Sequence, residues 1–190
     1  MLKKVSVGIS NRHVHLTEDT FKSLFDLEKL SCRNKLNQIG EFASNERVTI
    51  QCGEYKIENV VIIGPFREYN QVEISASDAR KLKVSPPVRK SGNVKGSVPV
   101  TLIGPKGEVS LEEGLIIANR HVHFSLEDAK LNNIVDDQKL YIKVSGDKAG
   151  IMEAVAKVSK NGYYELHIDT DDASAFLLSN KDEVEVVEHL

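Results

Sequence analysis

Cysteine is scarce in this sequence of 190 residues, which contains only Cys32 and Cys52. These two cysteines form neither a disulfide framework nor a Cys-x-x-Cys motif, so we expect reduced thiols in a cytoplasmic protein. No apolar run approaches the roughly 20 residues that a membrane-spanning helix needs. The net charge is -3, so the composition shows no basic excess that would indicate a nucleic-acid or membrane partner.

Histidine is concentrated in one repeated motif. Four of the six histidines lie in two copies of Asn-Arg-His-Val-His, at residues 11–15 and 119–123. Each copy follows an apolar segment typical of a β-strand. Side chains two residues apart point to the same face of a strand, so the two histidines of one copy are able to bind a single metal ion. The valine between them, Val14 or Val122, would then face the protein core.

The second half of the sequence repeats the element order of the first. Each His-Val-His is followed by a short helix with a capping Thr or Ser, then by short strands and a second short helix. We interpret this order as an internal duplication. It predicts a mainly β (α+β) fold, with two small β-barrel subdomains capped by short helices. We expect the first barrel unit at 11–118, with an excursion at about 26–45, and the second at 119–190.

Two local patterns predict how elements begin and end. Ser77 is expected to cap the helix that runs to Leu82. Residues 98–103 and 108–111 are expected to form a hairpin around the glycine- and proline-containing turn at 104–107. Residues 115–118 are expected to form a separate strand that leads into the second histidine pair.

Each histidine pair needs a third metal ligand, because a catalytic zinc ion usually has three protein ligands and one open position. Aligning Ile57 with Ile151 without a gap places Glu73 on His167. Both residue types bind zinc, and His167 is the remaining histidine apart from His189 in the C-terminal tail. Three neutral imidazoles leave the zinc charge intact whereas a carboxylate cancels one unit of it, so the two sites should differ. The predicted ligand sets are His13, His15 and Glu73, and His121, His123 and His167.

Other polar residues near these motifs allow two interpretations each. Arg67 follows Gly64-Pro65 and precedes Glu73 by six positions. A guanidinium beside a metal suits a phosphate or carboxylate, but the spacing also fits an ordinary surface arginine. Glu73 could likewise be a solvated strand residue. Arg12 and Arg120, which directly precede the histidine pairs, are expected to form structural ion pairs.

Six motifs are spread in order over nearly the whole chain: Val7 to Leu16, Gly64 to Arg67, Gln71 to Ser75, Leu102 to Gly107, Ala118 to His123, and Glu165 to Asp171. Their combination resembles the PduL-type phosphotransacylases, also called phosphate propanoyltransferases. The resemblance implies an enzyme that interconverts a short-chain acyl-CoA (propanoyl-CoA or acetyl-CoA) plus phosphate with acyl phosphate plus CoA. It implies a dinuclear zinc site, in which other divalent metals could replace zinc, and a possible homodimer.

The resemblance also assigns roles to residues. The metal ligands of the family fall on the six residues chosen above from the repeat, and its phosphate-binding arginine falls on Arg67. Polar positions of the family's substrate site match Gln38, Gln71 and Ser91, while Lys157 stands where an arginine is expected. The N-terminal strand at 1–10 is expected to pack into the second barrel unit.

The same resemblance carries an expected mechanism and location. Metal coordination deprotonates a thiol, so we expect one metal ion to hold the CoA sulfur as a thiolate. No acyl intermediate on the protein is required, so we expect direct transfer of the acyl group between CoA sulfur and phosphate. The family is associated with propanediol degradation in bacterial microcompartments, whose targeted members usually carry an N-terminal extension. Only a few residues precede the first strand here, so the expectation is a free cytoplasmic form, or a chain from which an extension was removed.

Two other functions stay open at this point. A dinuclear zinc hydrolase is the nearest enzyme alternative, although the residues after His15 do not continue the His-x-His-x-Asp-His pattern of metallo-β-lactamases. A duplicated module with structural zinc is the non-enzyme alternative. Structural zinc sites have four protein ligands, whereas the sequence offers three good candidates for each site.

Overall fold

The computed structural model describes residues 4–160 and 162–187. The predicted strand residues 1–3 and the tail residue His189 lie outside this described part. The strands are β1 (Lys4–Ser10), β2 (His13–His15), β3 (Cys32–Lys35), β4 (Phe42–Cys52), β5 (Tyr55–Gly64), β6 (Gln71–Glu73), β7 (Val88–Arg89), β8 (Val98–Ile103), β9 (Glu108–Ala118), β10 (His121–Phe124), β11 (Lys139–Val144), β12 (Gly150–Val158), β13 (Glu165–Asp169) and β14 (Glu183–Val187). The helices are α1 (Glu18–Phe25), α2 (Ala76–Lys81), α3 (Leu126–Leu131) and α4 (Thr170–Phe176).

The chain divides into two compact units. The continuous unit comprises Arg12–Ala118, and the split unit comprises Met1–Asn11 together with Asn119–Leu190. Each unit has its own hydrophobic core of buried aliphatic and aromatic side chains. Each unit therefore provides a separate scaffold for one of the two His-Val-His motifs.

The split unit is a closed barrel with the strand order β1-β13-β10-β12-β11-β14. β1 pairs in parallel with β13 and antiparallel with β14, so the N-terminal strand completes the ring. Alternate residues of each strand point inward, as in β1, where Val5 and Val7 are each 1% exposed. Among the described residues of this barrel, closing the ring leaves no unpaired strand edge.

The continuous unit also closes into a ring of six strands, β4-β5-β2-β6-β9-β8, because β8 pairs with both β9 and β4. β3 pairs with β4 outside this ring, and it lies within the predicted excursion at about 26–45. β7 pairs with β9 at the other margin. The predicted mainly β fold, with two barrels and a few short helices, is confirmed.

The short helices begin at the capping residues that their sequences favour, with one exception. Thr17 caps α1 and Ser125 caps α3, each accepting a hydrogen bond from a backbone N–H of the first turn. The prediction for α2 was wrong by two positions. Its cap is Ser75, which has extended backbone and accepts from the N–H of Asp78, so Ser77 lies inside the first turn. In residues 4–160 and 162–187, none of the helices combines the length and apolar character that a membrane crossing requires.

The prediction of two separate strands at 108–111 and 115–118 was also wrong. Both segments belong to the single strand β9. The pairing with β8 shifts register, since Val98 faces Leu115 while Val100 faces Leu111. This irregularity inserts extra residues into β9 and interrupts the alternation of apolar and polar residues. Gly114, with φ +149°, adopts a backbone conformation at this point that side-chain-bearing residues disfavour.

Candidate metal centres and substrate-binding residues

The first histidine cluster lies in the continuous unit, where β2 sits between β5 and β6. His13 and His15 point to one face of β2, while Val14 is fully buried on the opposite face. The antiparallel pairing with β6 places Glu73 opposite His13. Nε2 of His13 lies 3.4 Å from Oε2 of Glu73. One ligand atom from each of His13, His15 and Glu73 lies within 4.8 Å of the other two.

The surroundings of His15 fit a metal ligand. Its Nδ1 is buried and has no hydrogen-bond partner among the described residues. Burial first, and then the neighbouring His13, lower the pKa of His15 to about 3. His15 is therefore neutral at neutral pH, which is the form that binds a metal ion.

Gln71 and Ser91 hold the carboxylate of Glu73. The side-chain amide of Gln71 donates to Oε1 of Glu73 at 2.5 Å and to Oγ of Ser91 at 2.8 Å. The hydroxyl of Ser91 donates to the same Glu73 oxygen at 2.9 Å. The N–H of Gly92 donates to Oε1 of Gln71 at 2.7 Å and so orients the amide. Two of the predicted substrate-binding residues thus lie directly beside the first cluster.

The second histidine cluster lies in the split unit, where β10 sits between β12 and β13. His121 faces His167 across β10 and β13. Nε2 of His121 and Nε2 of His123 are 3.1 Å apart, and Nδ1–H of His121 donates to the carbonyl of Asn119 at 2.8 Å. One ring nitrogen from each of the three histidines lies within 4.8 Å of the other two. Tetrahedral zinc with bonds of 2.0–2.1 Å separates its nitrogen ligands by about 3.4 Å, so the separation of 3.1 Å between His121 and His123 is already close to that of a zinc site.

His123 is the most deeply buried member of this cluster, with 1% of its surface exposed. Its Nδ1 has no hydrogen-bond partner among the described residues. Burial first, and then the neighbouring His167, His121 and Lys157, lower its pKa to about 2. Lys157 lies directly opposite His123 in the pairing of β10 with β12. A positive side chain therefore accompanies this cluster at the position where the family resemblance leads us to expect an arginine.

Two side chains that the sequence did not mark as functional surround His167. Oε2 of Glu165 lies 2.8 Å from Nε2 of His167, and the hydroxyl of Tyr163 donates to the same carboxylate oxygen at 2.6 Å. The Tyr163 ring stacks on that of His123, with centroids 5.5 Å apart. The repeat alignment that located His167 also pairs Glu165 with Gln71, which was the available sequence signal for this position.

Arg67 and Gln38 meet at a residue that the sequence analysis missed, Glu41. The guanidinium of Arg67 forms an ion pair with Oε1 of Glu41, and the amide of Gln38 donates to the same oxygen at 3.1 Å. The backbone N–H of Arg67 donates to the carbonyl of Leu16 at 2.9 Å, which ties the loop after β5 to the segment after β2. The charge of Arg67 lowers the pKa of His15, so the arginine lies within electrostatic reach of the first cluster.

The sequence of this chain is similar to those of known proteins. Residues 6–179 match the family model described as phosphate propanoyltransferase. A protein of that name from Lachnoclostridium phytofermentans is 44% identical over 173 residues, covering 90% of this chain and 81% of the relative. A second, from Thermotoga maritima, is 41% identical over 187 residues, covering 97% and 89%. A third, from Salmonella typhimurium, is 36% identical over 175 residues, covering 91% and 83%.

The chain belongs to the phosphate propanoyltransferase family. The family resemblance inferred from the six sequence motifs is thereby confirmed. The segment that matches the phosphate propanoyltransferase model contains both histidine clusters, as well as Arg67 and the residues around it.

Proposed function

We propose that the protein is a phosphate acyltransferase, which interconverts a short-chain acyl-CoA plus phosphate with an acyl phosphate plus CoA. The family match over residues 6–179 carries this proposal. The relatives are named for the propanoyl group, which favours propanoyl-CoA over acetyl-CoA as the substrate. The cytoplasmic location and the possible homodimer belong to the same proposal, and light scattering of the purified protein would test the homodimer.

The proposal includes two divalent metal ions, one in each unit, with zinc as the first choice. Both ligand sets are ones that zinc accepts, and the ligand atoms of each set lie within 4.8 Å of one another. When bound, such ions supply Lewis-acid stabilisation of a CoA thiolate and of a carbonyl oxygen. We assign His13, His15 and Glu73 to one ion and His121, His123 and His167 to the other.

Arg67 is assigned to phosphate. A guanidinium binds phosphate and carboxylate oxygens with the same paired N–H groups, so a bound phosphate would replace the carboxylate of Glu41 on Arg67. Gln38 donates to that carboxylate and would then be available to the incoming phosphate. The 30% exposure of the Arg67 side chain leaves the guanidinium accessible to such a ligand.

The reaction needs no acyl intermediate on the protein. A phosphate oxygen attacks the acyl carbon, the carbon–sulfur bond breaks, and CoA leaves as its thiolate. Cys32 lies on β3, and the thiol of Cys52 donates to the carbonyl of Pro99 at 3.7 Å, so neither is part of a histidine cluster. Burial raises the pKa of Cys52, which keeps it in the unreactive thiol form. The acyl group is therefore transferred directly between CoA and phosphate in this proposal.

One assay tests the proposal against its two alternatives. Purified protein is incubated with propanoyl phosphate and CoA, and thioester formation is followed with and without a chelator. We expect thioester formation that stops when the metal is removed and returns when zinc is added. Hydrolysis of esters or amides without any need for CoA would support a zinc hydrolase instead. Loss of folded structure on chelation, with no acyl transfer beforehand, would support a structural metal.

A further inference from the structure

Glu165 lies on the same face of β13 as His167. The two residues are two positions apart on one strand, and β13 pairs with β10 so that Glu165 faces His123 while His167 faces His121. Only 5% of Glu165 is exposed. Its Oε2 contacts Nε2 of His167 at 2.8 Å. The second cluster therefore has a buried carboxylate next to its third histidine.

The barrel provides space for this carboxylate at a glycine. Gly8 of β1 pairs with His167 in the parallel ladder between β1 and β13. A methyl group at Gly8 would lie 2.6 Å from Oε2 of Glu165 and 3.1 Å from the ring of His167. Any larger residue at position 8 would displace the carboxylate from the histidine. A buried carboxylate is costly unless it is hydrogen-bonded, and the hydroxyl of Tyr163 donates to Oε2 of Glu165 at 2.6 Å. Why a carboxylate stands at this position still needs an explanation.

The duplication supplies that explanation. Gln71 and Glu73 in the continuous unit correspond in sequence to Glu165 and His167 in the split unit. In the first pair, an amide donates to a carboxylate at 2.5 Å. In the second pair, an imidazole and a carboxylate are in contact at 2.8 Å. Each unit thus has one carboxylate beside its two paired histidines. In the continuous unit it is Glu73, and in the split unit it is Glu165, which corresponds to Gln71 rather than to Glu73.

We infer that Glu165 is a positioning residue for the second metal centre, where it orients His167 and supplies the negative charge that Glu73 supplies to the first. This inference rests on the proposed binding of a metal ion by His121, His123 and His167. It changes the expectation that the two centres differ by one unit of charge. With Glu165 included, each cluster contains one carboxylate, so the second centre leaves less positive charge for a substrate anion than three imidazoles alone would leave. Lys157, which lies opposite His123, adds a positive charge beside this centre.

Metal titration of the full-length chain tests the inference. The first centre is silenced with His13→Ala, so that Co²⁺ absorption or Zn²⁺ competition reports the second centre alone. In this background we expect Glu165→Gln, which keeps the shape and removes the charge, to weaken metal binding about 10–100-fold. Glu165→Asp keeps the charge and should recover a large part of the affinity. The melting temperature of the metal-free protein should change little in either variant.

Glu153→Gln is the matched control. Glu153 lies on β12 of the same unit and forms an exposed ion pair with Lys139, so its replacement should leave metal affinity unchanged. A merely structural role of Glu165 would lower the melting temperature of the metal-free protein without a selective loss of affinity in the folded fraction. Equal losses in Glu165→Gln and Glu165→Asp would also contradict the inference, because charge would then not be the property that matters.

A further variant separates this inference from the function on which it rests. His121→Ala in the same background should abolish metal binding. If it does not, the proposed second metal centre is wrong. If His121→Ala abolishes binding while Glu165→Gln binds metal with unchanged affinity, the metal centre stands and the role of Glu165 is overturned.

Discussion

The guanidinium of Arg12 binds both carboxylate oxygens of Asp78, with Nε 2.6 Å from Oδ2 and Nη2 3.0 Å from Oδ1. Arg12 directly precedes the first histidine pair, and Asp78 lies in α2 with its side chain 2% exposed. The pair thus connects the strand that carries His13 and His15 to the helix that follows Glu73. In the other unit, Arg120 forms the corresponding pair with Asp172, with Nε 2.8 Å from Oδ1.

Replacing Asp78 should destabilise the continuous unit strongly. Asp78→Ala leaves the guanidinium of Arg12 without its buried partner. Breaking a fully buried pair costs about 3–5 kcal/mol, and we expect about 2–4 kcal/mol here because 30% of the Arg12 side chain is exposed. Urea unfolding of the metal-free protein at pH 7 measures the loss. Asp172→Ala is the matched variant, and it should cost only about 1 kcal/mol because Arg120 and Asp172 are more exposed, with side-chain exposures of 38% and 17%.

The pH dependence of the same variant gives an independent check. Burial alone would raise the pKa of Asp78, but hydrogen bonds from Arg12 and Lys81 outweigh it and lower that pKa. The stabilisation by ionised Asp78 is therefore complete above about pH 4, near the unfolded pKa, and is lost as the pH falls below it. The difference between wild type and Asp78→Ala should shrink over that range. A difference that stays constant down to pH 3 would contradict the assignment.

The metal-free protein should lose stability as the pH falls from 7 to 5.5. Burial lowers the pKa of His15 to about 3 and that of His123 to about 2, whereas unfolded histidine titrates near 6.5. Below about pH 6.5 the unfolded state binds protons that the folded state does not, so stability decreases with decreasing pH. Two such histidines account for about 2–3 kcal/mol over this interval. Urea unfolding in the presence of a chelator measures it.

Two neutral replacements isolate the responsible residues. His15→Gln and His123→Gln each remove one titrating group, so each variant should show about half of the wild-type pH dependence. The comparison uses the change in the free energy of unfolding with pH. A loss of stability that is the same at every pH therefore does not affect it. Slopes equal to that of the wild type in both variants would show that other groups cause the effect.

Local sequence patterns predicted the two clusters of candidate ligands because the duplicated units preserve their strand pairing. Glu73 faces His13 across β2 and β6, and His167 faces His121 across β10 and β13. An ungapped alignment of the two halves detects such a match, because corresponding residues occupy corresponding positions in each ladder. The alternation of residues in a strand likewise predicted that Val14 is buried between two histidines.

The residues that were missed act through contacts for which the sequence carries no local signal. Glu41 reaches Arg67 from a position 26 residues earlier in the chain, because the pairing of β4 with β5 brings the residue before β4 close to the loop after β5. The position of Glu165 was present in the repeat alignment, but its partner Gln71 differs in charge and so did not mark it. The sequence predicted two strands where the structure has the single strand β9. The irregular pairing with β8 interrupts the alternation of apolar and polar residues along it.

Arg67→Ala should weaken the use of phosphate while leaving bound metal unchanged. The guanidinium makes charged hydrogen bonds, each of which contributes about 1.5–3 kcal/mol, so kcat/KM for phosphate should fall roughly 10–100-fold. Initial rates of acyl transfer at varied phosphate concentration measure this change, and elemental analysis measures the metal. Arg80→Ala provides the control, because Arg80 is an exposed arginine on α2 of the same unit. Unchanged phosphate kinetics in Arg67→Ala would remove its assigned role.

The number of metal ions bound per chain should fall by one when either histidine cluster is disrupted. The wild-type chain should bind about two divalent ions, because each unit holds three ligand atoms within 4.8 Å of one another. His13→Ala and His121→Ala should each bind about one ion, and the double variant should bind none. Acyl transfer should be lost in all three, since we propose that both ions serve one reaction. Full activity in a single variant that holds one ion would assign the other ion a structural role, and two ions in either single variant would contradict the ligand sets.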